Sequence, residues 1–281
     1  QYFTDIKKNL YFLPAGFIGY HFQPKQYGNQ FLLGNITLSA SHSVRTPTFT
    51  DLYYNTGDIE GNKNLKPEKA YTIELSGNFN LKKELKNEVY FNVNVSVFNR
   101  WGSNMIDYIK KEDEVKWHTV NHTTISFTGV EIVSEWLPAH YYYKDFWLKR
   151  VALQYCYLYS NKESKGYLSR YVLDHLTQHF TFHLSHAFYR DFGAEYAVTF
   201  NKRKGEYTSY RDITTGKPTT YPAYCLLDIR LYYQWQMINF YVEATNILNQ
   251  RYFDLGDLEQ PGISVRAGIK VKFDFSNFSL K

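Results

Sequence analysis

Apolar and polar residues exchange places at almost every step along this chain. Between Phe31 and Val44 the even positions Ile36, Leu38 and Ala40 are apolar, and the odd positions Asn35, Thr37, Ser39, Ser41 and Ser43 are polar. Near the other end, Ile263, Val265, Ala267, Ile269, Val271, Phe273 and Phe275 alternate with Ser264, Arg266, Lys270, Lys272 and Asp274. Successive side chains of a strand point to opposite faces, so each such run has one apolar wall and one polar wall. Rows of the same kind are Tyr71, Ile73, Leu75, Gly77 and Phe79 against Thr72, Glu74, Ser76, Asn78 and Asn80. Val89, Phe91, Val93, Val95 and Val97 likewise oppose Asn92, Asn94 and Ser96. The pattern predicts eleven strands, at about residues 10–23, 31–44, 68–81, 88–109, 116–136, 146–160, 172–188, 192–206, 223–236, 238–250 and 262–275. One run changes step: Ile125 and Phe127 are odd but Val130 and Ile132 are even, which predicts a bulge near Gly129.

The predicted connections alternate between short and long. Short ones fall near Gln26–Asn29, Lys82–Lys86, Tyr189–Asp191 and Gln236; long ones cover Arg45–Pro67, Asn161–Tyr171, Glu206–Pro222 and Arg251–Pro261, with a further tip near Lys110–Glu114. Outer-membrane barrels have this build, tight turns on the periplasmic side and wide loops outside. A soluble β-sandwich also alternates, but its strands run about five or six residues rather than ten to fifteen. Aromatic pairs gather near strand ends, at Tyr53–Tyr54, Tyr141–Tyr143, Tyr232–Tyr233 and Tyr252–Phe253, where a lipid interface would place them. The expected fold is therefore all-β, a transmembrane antiparallel barrel. Its backbone groups must all pair internally, yet eleven is an odd count. Residues 1–6 could add a partial twelfth strand; otherwise the chain is part of a larger barrel.

Composition supports this reading. Of 281 residues, 27 are Tyr and 21 Phe, and 44% are hydrophobic, but no run approaches the roughly 20 apolar residues of a membrane helix. The net charge of +5 is spread along the chain, which argues against nucleic acid as a partner. Cys156 and Cys225 lie in separate strands and read as free buried thiols. No leader sequence is visible at Gln1, so the chain is expected to be processed or to start within a longer protein.

Candidate chemistry is sparse. His175, His179 and His183 recur every fourth residue on a polar face, which spaces neighbours about 13 Å apart on one strand, too far to share a metal ion. They read as solvated residues. His42, between Ser41 and Ser43, resembles part of a hydrolase triad only nominally, because its even position puts it on the apolar face. Neither catalytic nor metal-binding residues are expected, and no cofactor. In the long loops, Tyr53, Tyr54 and Asn55, and Tyr207, Tyr210 and Arg211, combine stacking faces with hydrogen-bond donors suited to a large polar ligand.

Two longer motifs bear a family likeness. The run SVRTPTFTDLYY supplies Val44, Arg45, Thr46 and Pro47; GNKNLKPEKAYTIEL then supplies Asn62, Asn64, Leu65, Pro67 and Glu68, followed by Glu74 in the next strand. Together they resemble the paired signature of TonB-dependent outer-membrane receptors. The run from Val242 to Phe275 resembles the closing hairpin of that family, with Asn246, Leu248, Asn249, Tyr252, Pro261, Gly262 and Phe275 in the matching places. It departs from the family at Ile263, where Arg is usual, and in continuing through Ser276–Lys281. The likeness covers residues 1–281 and implies the C-terminal half of a 22-stranded barrel in the cell outer membrane. It further implies partners: the lipid bilayer, a separate N-terminal plug and barrel half, TonB through the plug, and a surface lipoprotein that captures ligand. The implied activity is energy-dependent uptake of cobalamin or a ferric siderophore. Thr48–Lys63 holds no histidine to ligate haem iron, which argues against haem. The alternatives are a self-contained passive porin and a barrel enzyme such as a phospholipase.

Overall fold

A computed structural model describes residues 10–83, 88–111, 114–143, 145–161, 167–169, 175–209 and 217–272. Eleven long strands follow one another in a single antiparallel path: β1 (Ala15–His21), β2 (Gln30–Arg45), β3 (Glu68–Lys83), β4 (Glu88–Lys110), β5 (Trp117–Trp136), β6 (Leu148–Ser160), β7 (His175–Tyr189), β8 (Phe192–Lys204), β9 (Tyr224–Trp235), β10 (Ile238–Thr245) and β11 (Ser264–Val271). Each pairs with its neighbours in chain order, and among the described residues β1 and β11 pair on one side only. Over the described residues the sheet therefore has two unpaired edges, and residues 1–6, expected as a possible partial strand, lie outside them.

The apolar row is the outer one. Ile73 and Leu75 are 47% and 52% exposed, while Thr72 and Glu74, which alternate with them, are half-buried. A sheet in water does the reverse, since apolar burial drives its folding. Across the strands Leu38 stands opposite Leu75, and Leu75 opposite Val97, so the outer rows merge into one apolar surface. The polar rows form a concave wall, with hollows lined by Glu74, Ser76, Asn94, Ser96 and Glu131 and, farther on, by Glu135, Arg150, Thr181 and His183. Side chains on this wall satisfy one another. Asn78 donates to Asn94, Asn94 to Asn92, Asn92 to Asn80 and Asn80 back to Asn78, closing a ring of amides. Arg150 donates to Glu135 at 2.6 Å, and Arg230 and Arg266 stand by Glu195 and Glu243 at 3.9 and 2.7 Å. Cys156 and Cys225 are free and half-buried rather than fully buried.

The expected bulge near Gly129 is absent: β4 and β5 stay in register from Phe91 opposite Trp136 to Ile109 opposite His118. Ile125 and Phe127 keep step with Glu131 and Glu135; Ile125 is fully buried with Phe127, Met105 and Tyr167 packed against it, so protein and not lipid covers this spot. These two inner-face apolar residues therefore reflect a local core near the loops. Gly129 serves a different need, because a Cβ there would overlap the Phe98 ring. Gly129→Val is expected to destabilise the barrel by about 1–3 kcal/mol through overpacking, with most of the loss recovered by Phe98→Ala. Urea unfolding of the two variants in micelles would show it.

The strand ends also differ in instructive ways. The tenth strand stops at Thr245, short of the predicted 250, because Asn246 turns the chain at φ 49°. The sixth starts at Leu148, after Pro138 opens the one-turn helix α2 (Pro138–Tyr141). This tight-turn end carries a run of ring contacts through Tyr141, Tyr142, Phe146, Trp147, His186, Phe188 and Phe192. Amphipathic rings in that position suit the boundary between hydrocarbon and headgroups.

Candidate functional site at the long-loop end

The two halves of the first signature meet in one ionic clasp. Arg45, the last residue of β2, stands opposite Glu68, the first of β3, and grips it with two parallel bonds, Nε to Oε2 at 2.7 Å and Nη2 to Oε1 at 2.8 Å. Planar guanidinium and carboxylate groups match in this way, which a lysine could not reproduce. Glu68 is nearly buried and also accepts the Ile106 backbone N–H at 2.7 Å. The third Arg45 nitrogen, Nη1, reaches Asp51 at 3.3 Å.

Asp51 joins the clasp to a short helix, α1 (Phe49–Tyr53). Thr48 and Asp51 form a capping box: Asp51 N–H donates to the Thr48 hydroxyl, and Thr48 N–H donates to the Asp51 carboxylate. The Tyr108 hydroxyl donates to the other Asp51 oxygen at 3.0 Å, tying the loop to β4. Asn62 receives no less support. Its backbone N–H donates to the Asp51 carbonyl, its amide to the Thr119 carbonyl at 3.1 Å, and its side-chain oxygen accepts the Asn64 N–H at 2.9 Å. Asn121 brackets Lys66, accepting its N–H and donating to its carbonyl. The long hairpin of β4 and β5 thus holds the Arg45–Pro67 loop along its length.

Burial pushes the Asp51 carboxyl up, but the Thr48 backbone and side chain, Tyr108 and Arg45 outweigh it and hold the group below its ordinary value. A lowered native pKa gives stability that is complete above the unfolded value, roughly pH 4, and lost as pH falls through the native one. The loop is therefore expected to resist pepsin down to about pH 4 and to become cleavable within residues 46–67 below it. Asp51→Asn should flatten that dependence.

The closing hairpin is stapled by Asn246. Its N–H donates to Asp228 at 2.8 Å, its side-chain oxygen accepts the Gln250 N–H at 2.9 Å, and its amide donates to the carbonyls of Gln250 and Pro261 at 3.0 and 3.3 Å. Asn249 accepts the Ile263 N–H at 3.1 Å and lies where a Cβ on Gly262 would collide with it. Tyr252 packs on Tyr224 at 4.5 Å.

The proposed ligand contacts separate into three groups. Tyr53, Tyr54 and Asn55 are exposed on and just after α1; Tyr53 packs on Phe49 at 5.1 Å and carries the Lys63 ammonium over its ring at 5.7 Å. Tyr207 is buried instead, with Tyr221 at 4.8 Å and Phe253 at 5.7 Å, so its ring belongs to the core of its own loop and is not presented to a ligand. Tyr210, Arg211 and Phe275 lie outside the described residues. Glu74 faces the concave wall, away from the clasp. A crevice of about 470 Å³ opens at this end among Tyr167, Lys202, Arg203, Lys204, Glu206 and Tyr221, groups that no sequence motif singles out. Asp51, Tyr108 and Asn121 were missed as well. The Thr-x-x-Asp spacing of a capping box could have revealed Asp51, whereas Tyr108 and Asn121 reach the loop from distant strands without any local signal.

Comparison with known proteins agrees with this architecture. The family described as TonB dependent receptor-like, beta-barrel matches residues 2–247. No curated protein sequence matches the chain. Among solved structures, the copper transporter OprC superposes with a TM-score of 0.63 at 12% identity over 93% of this chain and 40% of that one. The siderophore receptor PirA from Pseudomonas aeruginosa gives 0.55 at 12% identity over 87% and 40%. The FrpB iron transporter from Neisseria meningitidis (F3-3 variant) gives 0.55 at 12% over 91% and 44%. The chain spans less than half the length of these proteins, and the likeness is one of fold. With its apolar face outward, its alternating loops and the match to residues 2–247, the chain belongs to the β-barrel family of TonB-dependent receptors of the outer membrane.

Proposed function

We propose that this chain supplies the C-terminal wall and part of the extracellular mouth of a 22-stranded receptor that takes up a large, scarce nutrient, a ferric siderophore or cobalamin. The family consists of receptors and not enzymes, so the phospholipase alternative is set aside. The observation that carries the proposal is the α1 platform: exposed Phe49 and Tyr53 on a helix fixed by the Arg45–Glu68–Asp51 clasp, with exposed Tyr54 directly after it. Rigid aromatic faces lose little entropy on binding and offer broad stacking area. A crevice at the same end sets Lys202, Arg203 and Lys204 against Glu206, with Arg203 also paired to Asp254 at 2.9 Å, and its remaining positive balance favours an anionic ferric chelate over the corrinoid. OprC, PirA and FrpB are named for copper, siderophore and iron, which accords with a metal-bearing nutrient.

In this reading the loops capture the ligand and a plug inside the barrel, from the part of the protein N-terminal to this chain, rearranges when TonB pulls on it. A surface lipoprotein could hand over ligand at the same mouth. Titration of the full-length receptor in micelles with ferric catecholate, ferric hydroxamate and cyanocobalamin tests the proposal. One ferric chelate is expected to bind with an affinity that falls as salt rises, and Tyr53→Ala is expected to weaken it tenfold or more. Failure of all three to bind, or indifference to Tyr53→Ala, would overturn it.

A further inference from the structure

A hollow opens on the outer, lipid-facing side at the tight-turn end of β1, β2 and β3. It holds about 280 Å³ and is lined by Phe22, Gln23, Lys25, Leu32, Gly34 and Phe79. Register puts the strand residues among them on the apolar face. Tyr20 stands opposite Ile36, the Phe22 N–H donates to the Gly34 carbonyl, Lys25 faces Leu32, and Gly34 faces Phe79. A missing side chain makes the hollow. The Phe79 ring leans over Gly34, where a Cβ would come within 2.6 Å of it, and it also crosses above Gly77. Phe22 stacks on Phe79 at 6.0 Å, and Tyr20 meets Phe22 edge-on at 5.2 Å. The rings form a wall beside a stretch of sheet that has no side chain of its own.

The lip of the hollow is polar. Lys25 carries its ammonium over the Tyr27 ring at 5.2 Å, and among the described residues no carboxylate pairs with it. Gln23 adds an amide to the same lip. Lys83, in the row nearer the turn, is engaged by the Tyr141 carbonyl at 2.7 Å and stands opposite Glu88. Lys25 is therefore the cation left to meet a charge from outside. An ammonium and an amide above an apolar hollow match one kind of molecule, an anionic headgroup joined to a hydrocarbon chain. A lysine stem lies along apolar surface while its charge reaches the headgroup layer. The run Lys25–Tyr27 enters one of the tight turns, so that layer is the periplasmic one. Concavity and charge coincide here, whereas ordinary lipid contact requires neither.

We infer that this hollow is the seat of one anionic phospholipid of the periplasmic leaflet. An acyl chain occupies the space between Phe22, Gly34 and Phe79, and the phosphate rests on Lys25 with the Gln23 amide beside it. In a bilayer the chain gains no hydrophobic energy by leaving other chains. Dispersion within a shaped hollow holds it, and the lysine selects the headgroup.

Native mass spectrometry tests the inference on the full-length receptor, washed in neutral detergent and incubated with phosphatidylglycerol or phosphatidylcholine. One retained phosphatidylglycerol is expected, in preference to phosphatidylcholine. Lys25→Gln should lower its occupancy about fivefold, the effect of one lysine at an anionic surface. Leu32→Trp, which fills the hollow from its side, should remove the bound lipid. Lys149→Gln is the control and should leave occupancy unchanged, since Lys149 shares the outer row of β6 with Val151 at the same end of the barrel. Equal retention of the two lipids, indifference to Lys25→Gln, an equal loss in Lys149→Gln, or retention in a folded Leu32→Trp would overturn the inference. Should Leu32→Trp fail to assemble, Lys25→Gln decides alone, because Lys25 is exposed and its replacement leaves the sheet intact. None of these outcomes depends on which nutrient the loops capture.

Discussion

Arg45→Ala should release the signature loop and cost about 3 kcal/mol, the lower end of the range for breaking a buried ion pair. The estimate sits low because the two partners differ in exposure: the Arg45 side chain is 46% accessible, but that of Glu68 only 10%. Removing the arginine strands a nearly buried carboxylate that retains only the Ile106 N–H. It also takes Nη1 from Asp51, which loosens the start of α1. About 3 kcal/mol corresponds to roughly a hundredfold larger open population. Proteolysis within residues 46–67 should accelerate by that factor where opening is fast relative to cleavage. Arg45→Lys restores the charge without the fork, and is expected to recover only part of the resistance. An unchanged cleavage rate in Arg45→Ala would mean that the loop is held by its bonds to β4 and β5 alone.

Val95→Arg is the second large effect, at about 2–4 kcal/mol if the residue lies near the bilayer midplane. Val95 belongs to the outer row, opposite Gly77 on β3 and Ile132 on β5. An arginine there must be drawn into hydrocarbon or bend toward the headgroups. Asn94→Arg, one residue earlier, points to the concave wall. It sacrifices hydrogen bonds within the amide ring, at about 1 kcal/mol each, and leaves the new charge in a polar setting. Unfolding from lipid vesicles measures both. Equal penalties would contradict the assignment of faces.

The alternation of residues made the strands legible because it records the two solvents on either side of the sheet. All eleven appear in the predicted order, and each pairs with its neighbour in the chain whether the connection is short or long. The structure departs from the pattern where a third environment intervenes. Ile125 and Phe127 are apolar because protein packs over them near the loops, and periodicity cannot distinguish that cover from lipid. Tyr207 was legible as an aromatic in a polar loop, but its burial with Tyr221 and Phe253 depends on segments that meet only after folding. The signature positions show the same division. Arg45 and Glu68 stand out in the sequence as a motif, whereas their bond follows from the register of β2 on β3. Asn246 and Asn249 could be read as turn residues, and both do adopt φ 49°. That Asn246 spans from Asp228 to Pro261 is a property of three strand ends brought together.

The direction in which the apolar face points underlies all of these arguments, and it can be measured directly. Nitroxide labels at Leu38, Leu75 and Val97, and at Ser39, Ser76 and Ser96, are placed one at a time in the full-length receptor, with Cys156 and Cys225 changed to serine, and reconstituted in bilayers. Collision with lipid-dissolved oxygen is then read for each label by electron paramagnetic resonance. The structure predicts high oxygen accessibility at Leu38, Leu75 and Val97 and low accessibility at the three serines, a two-residue alternation across β2, β3 and β4. Equal accessibility in the two sets, or higher values at the serines, would contradict a barrel wall with lipid outside and water within.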